Sequence, residues 1–176
     1  MTDSSVFPAL KGRSLSGAEI RVPTDLEGEL NLLFVAFRRH QQQTINRWFQ
    51  AIQRIVHSGF ATYEIPLMRR FPGLYREAID SGMRSGISDA DTRRRTITVY
   101  TDRARFLDDV GLPGVSRVWV ALVDRLGTIH WSHVGAPTPG AVDRLNTTLG
   151  VLLRGPGRES LGSETGYSDS RGKGGL

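Results

Sequence analysis

Residues 30–37 read Leu-Asn-Leu-Leu-Phe-Val-Ala-Phe, apolar throughout except for Asn31. The run is far too short to cross a membrane as a helix. It shows neither the period of an amphipathic helix nor the alternation of a strand with one wet face. It fits a strand covered on both sides, as in the middle of a sheet flanked by helices. The next segment has a different period. Ile45, Trp48, Phe49, Ile52, Ile55 and Val56 recur at helical steps, forming one apolar stripe on a helix expected over residues 40–57. Gly59 stands just past it as a stop. A buried strand followed directly by a helix of this kind predicts a parallel crossover and the α/β class.

The remaining segments extend that pattern. Around Gly17, the stretch from Val6 to Glu27 predicts a short hairpin or edge strand, with Ile20 and Val22 alternating with polar neighbours. Residues 60–65 form a second strand, ended by Pro66. From Leu67 to Ile87 the pattern turns helical, with Leu74, Tyr75, Ala78 and Ile79 on its buried side. Thr96–Tyr100 is a third strand of β-branched residues. Asp102 is placed to cap a short helix carrying Phe106 and Leu107, which Gly111 and Pro113 end. A strand over Val115–Val123, a turn at Asp124-Arg125-Leu126-Gly127 and a return strand over Thr128–Ser132 make a hairpin. Thr138-Pro139 then opens a helix burying Val142, Leu145, Leu149 and Leu152. Trp48, Trp119 and Trp131 are assigned to the core. Residues 154–176 are rich in glycine and serine and poor in apolar groups, so they predict a disordered tail beside a single domain over residues 1–153.

Composition narrows the chemistry. Among 176 residues there is no cysteine, which excludes thiolate catalysis, CxxC redox cycling, disulfides and Cys-based metal sites together. The net charge of +5 is almost entirely arginine, scattered among acidic residues. With no RNA-binding aromatic signature and no finger spacing, no nucleic-acid partner is expected. His57 is isolated, and His130 and His133 point to opposite faces of a strand, so no metal site is expected. There is no GxGxxG and no Walker motif, Gly135-Ala136-Pro137 reads as a plain loop, and no cofactor is expected. Met1–Pro8 has no leader pattern and no segment spans a membrane, so the expected location is cytoplasmic.

Four stretches carry a family resemblance. FPALKGRSLSGAEIRVPTDLEGELNLLFVAF looks like the opening of peroxiredoxin-like and TlpA-like proteins, where a P-x-L-x-G hairpin and a G-x-x-V-x-L-P strand precede the first central strand. VALVDRLGTIHW resembles the F-L-I-D-x-x-G-x-I hairpin of the same group. Within it, LLFVAFRRHQQQTINRWFQAI, GMRSGI before a basic run, and the VDRLGTIHW hairpin are most similar to the assembly-factor family of the mitochondrial ATP synthase. The resemblance covers about residues 7–150. It implies the thioredoxin-like fold: a central mixed sheet, helices on both faces and an N-terminal hairpin extension. It also implies where the family's redox CxxC would lie, at the turn from first central strand to helix. Here His40-Gln41-Gln42-Gln43 hold that place. The facing cis-proline would fall next to Val118, where Ser116 and Arg117 stand instead.

The resemblance therefore implies a redox-inactive scaffold that binds a protein, as an assembly factor or chaperone-like module. The expected contact surface is Arg38, Arg39, His40, Gln41, Gln43, Ser116 and Arg117. Two alternatives stay open. A helix N-terminus at His40 can take a small anion, as a binding site or in an enzyme. A basic patch of Arg84, Arg93, Arg94 and Arg95 can meet phosphate, an acidic protein loop or, by peripheral association, an anionic membrane.

Overall fold

A computed structural model describes residues 6–55, 59–69, 81–82, 86 and 89–154. Its frame is a seven-stranded mixed sheet in the order β2-β1-β5-β4-β3-β6-β7. β1 (Leu10–Ser14) and β2 (Glu19–Val22) are the N-terminal hairpin, and β1 joins the sheet antiparallel to β5. β3 (Leu30–Ala36), β4 (Phe60–Arg69) and β5 (Ile97–Thr101) run parallel. β6 (Trp119–Asp124) returns beside β3, and β7 (Ile129–Val134) completes the second hairpin. A 3-10 turn at Arg39–Gln41 leads into α1 (Gln42–Ile52). α2 (Ala90–Arg95) precedes β5, α3 (Arg103–Val110) follows it, and α4 (Pro139–Arg154) follows β7. No helix among the described residues is long and apolar enough to cross a membrane.

The apolar run lies between β4 and β6, and the pleat divides it between two cores. Leu33 and Val35 join Tyr63, Ile65, Trp119 and Phe106 on the face that α3 covers. Leu32 and Phe34 join Ile45, Trp48, Val120, Leu145 and Leu149 on the face covered by α1 and α4. Aromatic rings fill both cores. Phe7 stacks on Trp119 at 5.9 Å, and Trp48 meets Trp131 edge-on at 6.0 Å. The three tryptophans are all buried, as expected.

Local chemistry accounts for the ends of the elements. The Asp102 carboxylate accepts from the Ala104 and Arg105 N–H groups, and Gly111, in the left-handed region at φ 68°, closes α3. At the β6–β7 turn, Asp124 Oδ1 accepts from the N–H groups of Leu126 and Thr128, each at 2.9 Å.

Several boundaries differ from those the sequence predicts. The helix expected over 40–57 is α1, ending at Ile52, because the Ile55 N–H bonds to the nearer Ile52 carbonyl and tightens the turn. Pro66 does not end β4. It occupies the last rung opposite Ala36 of β3, and the continuous ladder with β5 begins at Leu67 after an isolated bridge from Glu64 to Thr96, so the missing N–H falls between the two ladders. Leu67–Arg69, expected to open a helix, therefore belong to β4. The strand expected from Val115 begins at Trp119, since the Val115 carbonyl goes to a side chain and that of Val118 accepts from the Gly135 N–H. The Arg93–Arg95 run lies in a short helix that the sequence reading did not include, because the Asp89 carboxylate accepts from the Thr92 N–H and caps it. Val56, His57, Leu74, Tyr75, Ala78, Ile79 and Arg84 lie outside the described residues. So does the tail, apart from Arg154, the last residue of α4.

Candidate functional site

Because β3, β4 and β5 are parallel and adjacent, their carboxyl ends share one end of the sheet. β6 runs the other way, with Trp119 opposite Val35, so the loop before β6 arrives at that same end. Residues 37–43, 69, 102–103 and 115–118 thus meet there despite their separation in sequence. Crevices outside the carboxyl ends of parallel strands are where open α/β sheets present their sites.

Gln41 holds this end together. Its Oε1 accepts from the Phe37 N–H at 2.7 Å and the Arg38 N–H at 3.2 Å, while Nε2 donates to the Val115 carbonyl at 2.9 Å. Only 3% of the residue is exposed. This corrects the sequence expectation that Gln41 belongs to the contact surface. It satisfies backbone groups that no strand or helix satisfies, and it ties the loop after β3 to the loop before β6. The other expected residues, Arg38, Arg39, His40, Gln43, Ser116 and Arg117, are exposed around it. His40 lies in the 3-10 turn and Gln43 in the first turn of α1. Trp48 ties α1 to the adjacent loop, its Nε1 donating to the Gly135 carbonyl at 2.9 Å.

Sequence reasoning missed Arg103 and Arg69 at this end. Arg103 Nε donates to the Leu67 carbonyl at 3.1 Å, and its Nη2 donates to the Phe37 carbonyl at 2.6 Å. One guanidinium thus bridges the ends of β4 and β3. A signal existed in the spacing: Arg103 stands three residues before Phe106, whose ring lies 6.2 Å from Phe37, so both side chains lean toward the end of β3. Burial, then the charges of Arg69 and Arg38, pull the Arg103 guanidinium below its ordinary value.

The other expected features lie elsewhere. In the basic run, Asp91 pairs with both Arg94 and Arg95, and the Arg94 contact holds its carboxyl below the usual range. His130 Nε2 lies 3.0 Å from Asp124, while His133 packs against Trp48 and Trp131. No group of three or more His, Asp or Glu side chains that could hold a metal occurs among the described residues. Between α1 and α4 lies a cleft of about 510 Å³ lined by residues including Arg47, Arg54, Val142, Asp143 and Asn146. A second, of about 280 Å³, lies beside Glu64, Asp91, Arg95 and Phe49. Burial raises the Glu64 carboxyl above its ordinary value, against a hydrogen bond from Gln42 Nε2 at 3.1 Å.

This topology recurs in solved structures. The thioredoxin domain of a thiol-disulfide oxidoreductase from Bacteroides vulgatus superposes with a TM-score of 0.52 at 16% identity, covering 85% of this chain and 99% of that one. The exposed lipoprotein thioredoxin of Streptococcus pneumoniae strain TIGR4 matches at 0.50 and 12%, covering 80% and 98%. BsSco, a member of the Sco family of cytochrome c oxidase assembly proteins, matches at 0.55 and 8%, covering 84% and 93%. No family model matches the sequence, and no curated protein does. The chain has the thioredoxin-like fold. It has no cysteine anywhere, so a thiol–disulfide cycle has no nucleophile here.

Proposed function

We propose that this chain is a redox-inactive thioredoxin-like protein that binds another protein, as an assembly factor or chaperone-like module, through the end of the sheet where β3 enters α1. The observation that carries the reading is the Gln41 brace. In a chain without thiols, this end is still tied together by a buried amide bonded to both loops, beneath an exposed polar surface. That surface comprises Arg38, Arg39, His40, Gln43, Ser116 and Arg117. Its residues are exposed, which suits a macromolecular partner. One neighbour in fold points the same way: BsSco is by its description a member of the Sco family of cytochrome c oxidase assembly proteins.

The test is a crosslinking pull-down from the native host with wild-type chain and with Arg39→Ala/His40→Ala. A specific protein captured by wild type and lost in the variant supports the reading. Capture at full strength by both removes this surface as the contact site.

A further inference from the structure

Three arginines from three elements converge at the carboxyl ends of the parallel strands. Arg38 follows Phe37 past the end of β3, Arg69 is the last residue of β4, and Arg103 opens α3 just beyond β5. The two carbonyls that Arg103 grips belong to Phe37, one residue before Arg38, and to Leu67, two before Arg69. The bridge that joins the strand ends therefore also sets the backbones of Arg38 and Arg69 beside Arg103. The charges of Arg69 and Arg38 both act on Arg103.

Four other arginines of this chain meet carboxylates. Arg21 pairs with Asp25, Arg94 and Arg95 with Asp91, and Arg105 with Asp109. Among the described residues no carboxylate forms such a pair with Arg38, Arg69 or Arg103. Asp102 is next in sequence, but its Oδ1 caps α3 by accepting from the Ala104 and Arg105 N–H groups. Like charges near one another repel, and a counter-charge from outside would relieve that repulsion. Arg103 is prepared for one. Backbone carbonyls orient its plane through Nε and one Nη2 hydrogen, leaving further N–H groups of the fork for an oxyanion.

We propose that Arg38, Arg69 and Arg103 form the docking point for an acidic, carboxylate-bearing segment of the partner protein. This rests on the protein-binding reading above and gives that partner a charge. The exposure of Arg38 and Arg69 favours a peptide. Successive carboxylates along a chain meet spaced guanidinium groups together, each through a planar fork.

The probe is a fluorescently labelled octaglutamate peptide titrated by anisotropy into the full chain at low and moderate salt, with inorganic phosphate as competitor. Wild type binds, and binding weakens steeply with salt. Arg38→Gln/Arg69→Gln, both at exposed positions, weakens it about tenfold, as loss of two charge-assisted contacts requires. A control, Arg47→Gln/Arg144→Gln, removes the same charge from α1 and α4 and changes binding by less than about twofold, since those charges are screened from the site. Arg103→Lys keeps the charge but loses the fork and also weakens binding, with folding checked by circular dichroism. Equal losses in the two double variants reduce the effect to net charge and overturn the proposal. Binding of phosphate without binding of the peptide also overturns it, in favour of a small-anion site. If the peptide fails to bind while the pull-down still captures a partner through Arg39 and His40, the acidic docking point falls and the protein-binding reading stands.

Discussion

The Gln41 amide satisfies two backbone N–H groups and one carbonyl, at Phe37, Arg38 and Val115, in a nearly covered site. Truncation to alanine leaves all three without a partner. Each buried polar group left unpaired costs about 1–3 kcal/mol, with water recovering part of that here, so Gln41→Ala should lose roughly 2–4 kcal/mol in urea unfolding. A change within ±0.5 kcal/mol would mean that the amide is not bracing the loops. Glu64 makes a different test. Burial raises its carboxyl in the folded state, so the folded chain binds that proton more tightly than the unfolded chain does. Stability from this group is therefore greatest below the ordinary glutamate value of about 4.3, and it falls as pH rises through the raised folded value. Glu64→Gln removes the charge while keeping an acceptor for Gln42. It should stabilise the chain at pH 7, with the gain shrinking as pH falls toward and below about 4.3. A gain that is constant with pH would show that charge burial is not its source.

At the scale of elements, the N-terminal hairpin docks on the sheet through a close approach at Gly12, opposite Val99 of β5. A Cβ there would lie 2.5 Å from Ile97 Cγ2 and 2.9 Å from the Thr98 carbonyl oxygen. One of those atoms is backbone in a paired strand, so the hairpin must move away. Gly12→Ala should destabilise by about 1–3 kcal/mol, and hydrogen exchange should rise first in β1 and β2. Unchanged protection in β1 would show that the sheet absorbs the methyl. The hairpin itself was legible because Gly17 and the Ile20/Val22 alternation are local signals. The β1–β5 contact was not, because it joins residues some eighty positions apart that have no local relation. Pro66 misled for the same reason. Locally it ends a strand, but its cost depends on which neighbour each residue faces, and Pro66 stands between the end of the β3 ladder and the start of the continuous β5 ladder.

For the molecule as a whole, absence of cysteine makes the clearest forecast. Purified chain should show no turnover in insulin reduction or peroxide consumption, whatever the fold of its neighbours does. Turnover from cysteine-free protein would require a chemistry that none of these residues was assigned. The charge distribution matters at this scale too. A net +5 says little by itself, yet the fold gathers Arg38, Arg69 and Arg103 at one end and leaves Asp91 against two members of the densest basic run. Net charge belongs to composition, whereas a local field depends on which groups the chain brings together.

Much of the architecture followed from the sequence by itself. The run over residues 30–37 placed a doubly covered strand, helical spacing after it placed α1, and Asp102 placed the start of α3. Those signals survive in isolation because period and capping act over a few residues. Tertiary structure alone decided which side chains at the carboxyl ends of the parallel strands face outward. Gln41 and His40 are neighbours of similar polarity, yet one is buried under three hydrogen bonds and the other is exposed, because a carbonyl at Val115 lies within reach of only one of them. Arg103 and Arg69 carried no motif, and they came to this end of the sheet when parallel pairing set the ends of β3, β4 and β5 side by side. Hydrogen-bond partners and like-charge neighbours are long-range facts, fixed by strand order and register rather than by local sequence.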